Sequence, residues 1–143
     1  MVKKKEASAA KLTTVLDLVF SRYIRLRDTD RDGFCHCIDC DERIAWRDIQ
    51  CGHFMSRTAK STRWDEQNCA AQKASCNTYG QGRQFEFGKA LDVRYGEGTA
   101  DRLHIKSKQV QKWATWELKE MIEKYQELIK KLSKSKNFQP FKT

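Results

Sequence analysis

The sequence predicts an α+β fold in which a short cysteine-rich centre is carried between an amino-terminal helix and a long carboxy-terminal one. Three observations predict it. Apolar residues recur at helical spacing over residues 8–28, and they do so again over residues 107–132. Between them, residues 34–90 crowd cysteines, glycines and aromatics together with little periodicity, as expected where ligands and loops shape the fold more than amphipathic patterning does.

In the first helix Leu12, Val15, Leu16, Val19, Tyr23 and Ile24 fall on one side. The polar run Asp28-Thr29-Asp30-Arg31-Asp32-Gly33 closes it, ending in a glycine able to turn the backbone. In the last helix Leu118, Ile122, Tyr125, Ile129 and Leu132 alternate at spacings of four and three, with Glu120 to Lys124 and Glu127 to Lys131 as favourable i,i+4 pairs. Residues 133–143 read as a basic tail, since no acidic residue follows Glu127. A chain of 143 residues is expected to form a single domain.

Lys and Arg outnumber Asp and Glu by 28 to 19, and the resulting net charge of +9 favours a polyanion as partner. No uninterrupted apolar run exceeds three residues, and Lys11 and Asp17 interrupt the amino-terminal segment. No membrane association is therefore expected, and a cytoplasmic location is. In reducing cytosol the six cysteines point to metal ligation ahead of disulfides.

Cys37-Ile-Asp-Cys40 has the two-residue gap that lets two thiolates reach one tetrahedral zinc ion from a tight turn. Cys76 is the expected third ligand. Lys73 stands where a matching second knuckle would place its other cysteine, so Cys69 is the preferred fourth ligand, with Cys51, Cys35 and His36 as alternatives. A redox Cys-x-x-Cys pair or unliganded buried thiols are the competing interpretations. Between the clusters lies Cys51-Gly52-His53-Phe54-Met55-Ser56-Arg57. Asn68 follows His53 by 15 positions and Asn77 by 24, the order and approximate spacing at which ββα nucleases place a general base, a loop-fixing asparagine and a metal ligand.

Further pieces extend this pattern: Phe20-Ser21-Arg22-Tyr23-Ile24-Arg25 with Arg27-Asp28, Gly52-His53-Phe54 with Arg57, and Ser61-Thr62-Arg63-Trp64-Asp65. Gln72, Cys76-Asn77, Gly82 and Tyr95-Gly96 complete it. On these residues the run from Leu12 to Tyr95 resembles the phage NinG/Rap family of recombination endonucleases, of the HNH-like or His-Me finger superfamily. The resemblance implies a zinc-stapled ββα-metal core over residues 34–90. It also implies a structure-specific DNA endonuclease acting on Holliday junctions and D-loops. Lys73 departs from the family pattern, which has Cys there.

The expected chemistry assigns His53 as general base, Asn68 as the residue that fixes its loop, and Asn77 as ligand to a catalytic Mg²⁺ or Mn²⁺ ion. Arg57 is expected at the scissile phosphate, and Arg57, Arg63, Lys60, Arg22 and Arg25 along the DNA backbone. The apolar seam of the last helix suggests a homodimer able to cut two strands of a junction, although it suits packing on the first helix equally well. Three other functions fit parts of the sequence: a non-catalytic zinc-containing DNA-binding module, an HNH nicking nuclease with less preference for DNA structure, and a coiled-coil scaffold.

Overall fold

The computed structural model describes residues 5–79 and 82–138. Helix α1 runs Ala9–Asp28, and the Ser8 side chain caps it by accepting from the Lys11 amide at 3.2 Å. Its buried side is Leu12, Leu16, Val19, Phe20, Tyr23, Ile24 and Leu26. Val15, expected on that side, is instead 36% exposed. The turn after α1 forms where the sequence places it. Asp30 Oδ1 accepts from the amides of Asp32 and Phe34, and Gly33 takes a φ of +87° that a side chain would resist.

Four strands follow, as two separate antiparallel pairs. Strands β1 (Phe34–His36) and β2 (Arg43–Ala45) form a hairpin with the Cys37–Cys40 knuckle at its tip. Strands β3 (Ile49–His53) and β4 (Cys69–Lys73) pair in a register that sets His53 opposite Cys69 and Gly52 opposite Ala70. A short 3₁₀ turn, Glu66–Asn68, precedes β4, and a single π-type turn, Ser75–Tyr79, follows it. The helical part of the central segment is therefore divided. The turn after β4 carries Asn77, whereas helix α2 begins only at Gln84 and runs on to Tyr95, past the expected limit at residue 90.

Helix α3 spans Thr99–Ser107 and helix α4 spans Thr115–Lys136. The last helix was expected to start at Ser107. That residue instead ends α3, and α4 starts where Glu117 reaches back to accept from the Ala114 amide at 2.7 Å. Its far end also differs from expectation. Residues 133–136 continue the helix rather than forming a tail, and residues 139–143 lie outside the described residues. Lys136 Nζ donates to the carbonyls of Leu26, Arg27 and Thr29 at 2.7, 2.7 and 2.6 Å, satisfying the open carboxy-terminal end of α1.

The main core lies between α1 and α4, where Leu118 and Tyr125 are buried against Leu16, Phe20 and Ile24, with Ile122, Ile129 and Leu132 partly buried beside them. The apolar seam of α4 thus packs on α1 within the chain, with Ile122, Ile129 and Leu132 left partly exposed. A second core places Ala70 of β4 against Phe87, Leu91 and Leu103 of α2 and α3. Arg27 ties the first core to the finger: it pairs with Asp28 and donates to the carbonyls of Glu66 and Cys69 at 2.8 Å each. Asp28 in turn accepts from the Ala71 amide at 2.9 Å. The Arg27-Asp28 pair thus fixes α1 against β4. No helix among the described residues is long and apolar enough to cross a membrane.

Candidate active site and metal centre

A cleft of about 500 Å³ opens between α1 and β3, with Asp17 and Arg25 on one wall and Gln50 and His53 on the other. Arg57 and Asn77 also line it. The sequence brings these groups together through the β3–β4 pairing, since a loop of fifteen positions separates His53 from Asn68 while the strands hold its two ends together. Asn68 is wholly buried and organises that loop. Its Oδ1 accepts from the Met55 amide at 2.8 Å, and its Nδ2 donates to the carbonyls of Met55 and Thr62 at 3.0 Å each.

The loop so fixed presents the Arg63 carbonyl to His53 Nε2 at 3.1 Å. A carbonyl oxygen can only accept, so Nε2 carries the proton and Nδ1 is left as the acceptor of the ring. Burial lowers the His53 pKa to about 4; nearby Arg57 pushes the same way, while the Arg63 carbonyl partly opposes it. The imidazole is therefore neutral at physiological pH. Across the cleft Asn77 Nδ2 donates to Gln50 Oε1 at 2.9 Å, so the carboxamide oxygen is the donor atom Asn77 can offer a cation. Asp17 is the sole carboxylate among the described residues lining the cleft.

Asp17 is a site residue that sequence reasoning missed. It receives Arg63 Nε and Trp64 Nε1, both at 3.0 Å, and Arg63 Nη2 on its other oxygen. Arg63, expected along the DNA backbone, engages Asp17 and the Arg57 carbonyl and so anchors the loop to α1. Arg57 remains 62% exposed, 3.9 Å from Asp17. Arg25 lines the cleft and Arg22 is half-buried on α1. Lys60 is exposed and lies outside the cleft lining, and its carbonyl accepts from Trp113 Nε1 at 3.1 Å.

Gly52 immediately precedes His53 on β3 and contributes no side chain. A Cβ there would lie 2.1 Å from Gln72 Oε1. The position is closed to any side chain, because Gln72 packs across the strand pair while donating to Asp39 and to the Gly82 carbonyl.

A second cluster gathers Cys37, Asp39, Cys40 and Cys76, with one ligand atom from each lying within 4.8 Å of the others. Cys69, the expected fourth ligand, is not in it. It sits with Cys51 and His53 instead, and Asp39 takes its place. The Lys73 position contributes through its backbone, whose amide donates to Cys37 Sγ at 3.2 Å, while its ammonium pairs with Glu42. Burial opposes ionisation of Asp39, but hydrogen bonds from Cys37, Gln72 and Cys76 outweigh it and hold the carboxyl below the usual range. Burial also raises the Cys76 thiol to about 12. A buried carboxylate held ionised among three thiols is a donor set that fits Zn²⁺, which binds thiolate and carboxylate together.

A family model described as Bacteriophage Lambda NinG protein matches residues 2–136 of the chain. No curated protein and no solved structure matches it.

Proposed function

The chain belongs to the bacteriophage lambda NinG family, and from that premise and the geometry of the cleft we propose that it is a metal-dependent DNA endonuclease built on a His-Me finger. The observation that carries the reading is that His53 and Asn77 line one cleft while buried Asn68 fixes the loop behind His53. His53 is an imidazole oriented by a backbone carbonyl, Asn68 pins the loop that supplies that carbonyl, and Asn77 lines the same cleft with a carboxamide that donates to Gln50. The chain order of strand, strand and helical turn supports the same reading.

In the proposed reaction His53 Nδ1 takes the proton of a water molecule in line with the leaving oxygen. Nε2 stays bonded to the Arg63 carbonyl, which keeps the ring from rotating as it gains charge. Arg57, which lines the cleft and is largely exposed, holds a phosphate oxygen. Asn77 Oδ1, with waters and phosphate oxygens, would hold one Mg²⁺ or Mn²⁺ ion, which when bound polarises the scissile phosphate and offsets charge on the leaving oxygen. Cys37, Asp39, Cys40 and Cys76 would hold a structural zinc ion, which would tie the hairpin tip to the Asn77 turn. Branched recombination intermediates, such as four-way junctions and D-loops, are the proposed substrates on the strength of the sequence resemblance. A non-catalytic zinc module would give no reason for the arrangement around His53.

The test is cleavage of labelled four-way junctions, D-loops and linear duplexes in Mg²⁺ or Mn²⁺, with DNA binding measured in parallel. The wild-type protein is expected to cut branched DNA, and His53→Ala to lose about 10²–10⁴-fold in rate while keeping its affinity. Absence of cleavage on every substrate would overturn the nuclease reading. Cutting by His53→Ala at the wild-type rate would remove His53 from the mechanism.

A further inference from the structure

The proposed reaction leaves two thiols beside its base unexplained. In the β3–β4 register Cys51 lies opposite Ala71 and His53 opposite Cys69, and side chains two apart on a strand share a face. Cys51, His53 and Cys69 accordingly converge. Their two sulfurs and one imidazole nitrogen all lie within 4.8 Å of one another. Cys69 is fully buried, and Cys51 is half-buried and lines the cleft, so the trio is reached from the same opening as the base.

This donor set differs in kind from the one at Asn77. Thiolate and imidazole are soft to borderline ligands that select Zn²⁺ and similar ions, whereas Mg²⁺ and Mn²⁺ prefer oxygen. Zinc bonds of about 2.3 Å to sulfur and about 2.0 Å to nitrogen put tetrahedral ligand atoms about 3.5–3.8 Å apart, so the trio needs to contract by no more than about 1.3 Å. A fourth position would fall on the cleft side, open to water. Two guanidinium groups offset the charge of a pair of thiolates: Arg25 lies close enough to Cys51 to interact with its charge, and Arg27 donates to the Cys69 carbonyl at 2.8 Å.

We propose that Cys51, His53 and Cys69 form a second metal site, selective for Zn²⁺ or a similarly soft divalent ion, whose occupation switches the cleft off. The switching half of the proposal rests on the nuclease reading above, and the binding half does not. An ion on the His53 ring either takes the lone pair of Nδ1 or displaces the Arg63 carbonyl from Nε2. Both remove the base from the position the reaction needs. Soft and hard ions would thus act oppositely on one cleft.

Titration of the reduced, zinc-containing protein with further Zn²⁺, with bound metal counted by elemental analysis, tests the binding half directly. Wild type is expected to hold one equivalent more than Cys51→Ala, with Cys69→Ala as a second variant and circular dichroism confirming that both fold. Thiolate-to-metal charge-transfer absorption on Co²⁺ addition should likewise show one component that Cys51→Ala lacks. Equal metal content in wild type and both folded variants would overturn the site. In the Mg²⁺-dependent cleavage assay, added Zn²⁺ should inhibit wild type at a concentration at least about tenfold lower than it does Cys51→Ala. Full cleavage by protein carrying the extra equivalent would overturn the switch. Absence of cleavage in the starting protein would count against the nuclease reading alone, because the metal count stands without it.

Discussion

Replacing Asn68 by alanine separates the architecture of the site from its chemistry. The side chain touches no solvent and makes three hydrogen bonds, all to the backbone of the loop after β3. Its removal leaves the Met55 amide and the carbonyls of Met55 and Thr62 without partners in a dry interior. Each such group costs about 1–3 kcal/mol, and partial entry of water brings the expected total to about 3–5 kcal/mol. That is a large part of the 5–15 kcal/mol typical of a domain. Asn68→Asp should be no milder, since it keeps the acceptor for Met55 but sets a buried carboxylate against two carbonyls. Urea unfolding followed by circular dichroism gives the magnitude, and amide exchange at Met55 locates it. Because the same loop aims the Arg63 carbonyl at His53, cleavage measured where the variant remains folded should fall as well. A loss of stability below about 1 kcal/mol, or unchanged protection of the Met55 amide, would refute the reasoning.

Three further outcomes are expected. Asp39→Asn and Cys76→Ser should each release the ion of the Cys37–Cys40 knuckle to a competing chelator, whereas Cys69→Ala should keep one tightly held equivalent through the same treatment; elemental analysis after dialysis distinguishes them, and loss of that last equivalent in Cys69→Ala would reinstate Cys69 as a knuckle ligand. The His53 pKa of about 4 lies below its unfolded value of 6.5, so the unfolded chain takes a proton there first and stability falls as pH drops from about 6.5 towards 4. That contribution is about 3 kcal/mol, so the stability difference between wild type and His53→Ala should shift by this amount across the window, and a constant difference would disprove the shift. Arg57→Ala should weaken DNA binding and its salt dependence without altering the fold, while Arg63→Ala should lower the melting temperature by freeing Asp17; the two readouts exchanged would reverse these roles.

The first helix, its closing turn and the Cys37–Cys40 knuckle were legible because each is set by residues adjacent in sequence. The spacing of His53, Asn68 and Asn77 was legible for a related reason: an antiparallel pair with one loop between its strands fixes which positions meet. The partner of a buried face was not legible. Periodicity shows that Leu118, Ile122 and Tyr125 must be covered, but the same stripe suits a second chain or α1, and the choice depends on contacts about a hundred residues apart in sequence. Helix α3 escaped notice because Gly96 and Gly98, both at positive φ, interrupt the pattern between it and α2. Asp39 was in plain view inside the knuckle, and an acidic residue between two cysteine ligands is the signal that could have identified it. Asp17 gave no such signal, since its partners Arg63 and Trp64 lie 46 and 47 residues away.

The contact between Lys136 and the end of α1 has a consequence for the order of assembly. Its three hydrogen bonds join residues 107 to 110 positions apart, and they secure the helix that supplies Asp17 and Arg25 to the cleft. Loops of that length close late, after local turns and hairpins have formed. On a ribosome the hairpin, the zinc knuckle and the β3–β4 pair can therefore take shape while α1 is still without its partner. A nascent chain stopped before α4 would carry His53 on its strand with the opposite wall of the cleft unset. On the proposed nuclease reading, competence to cut would then arrive in one step once α4 has been made, rather than growing as the chain lengthens.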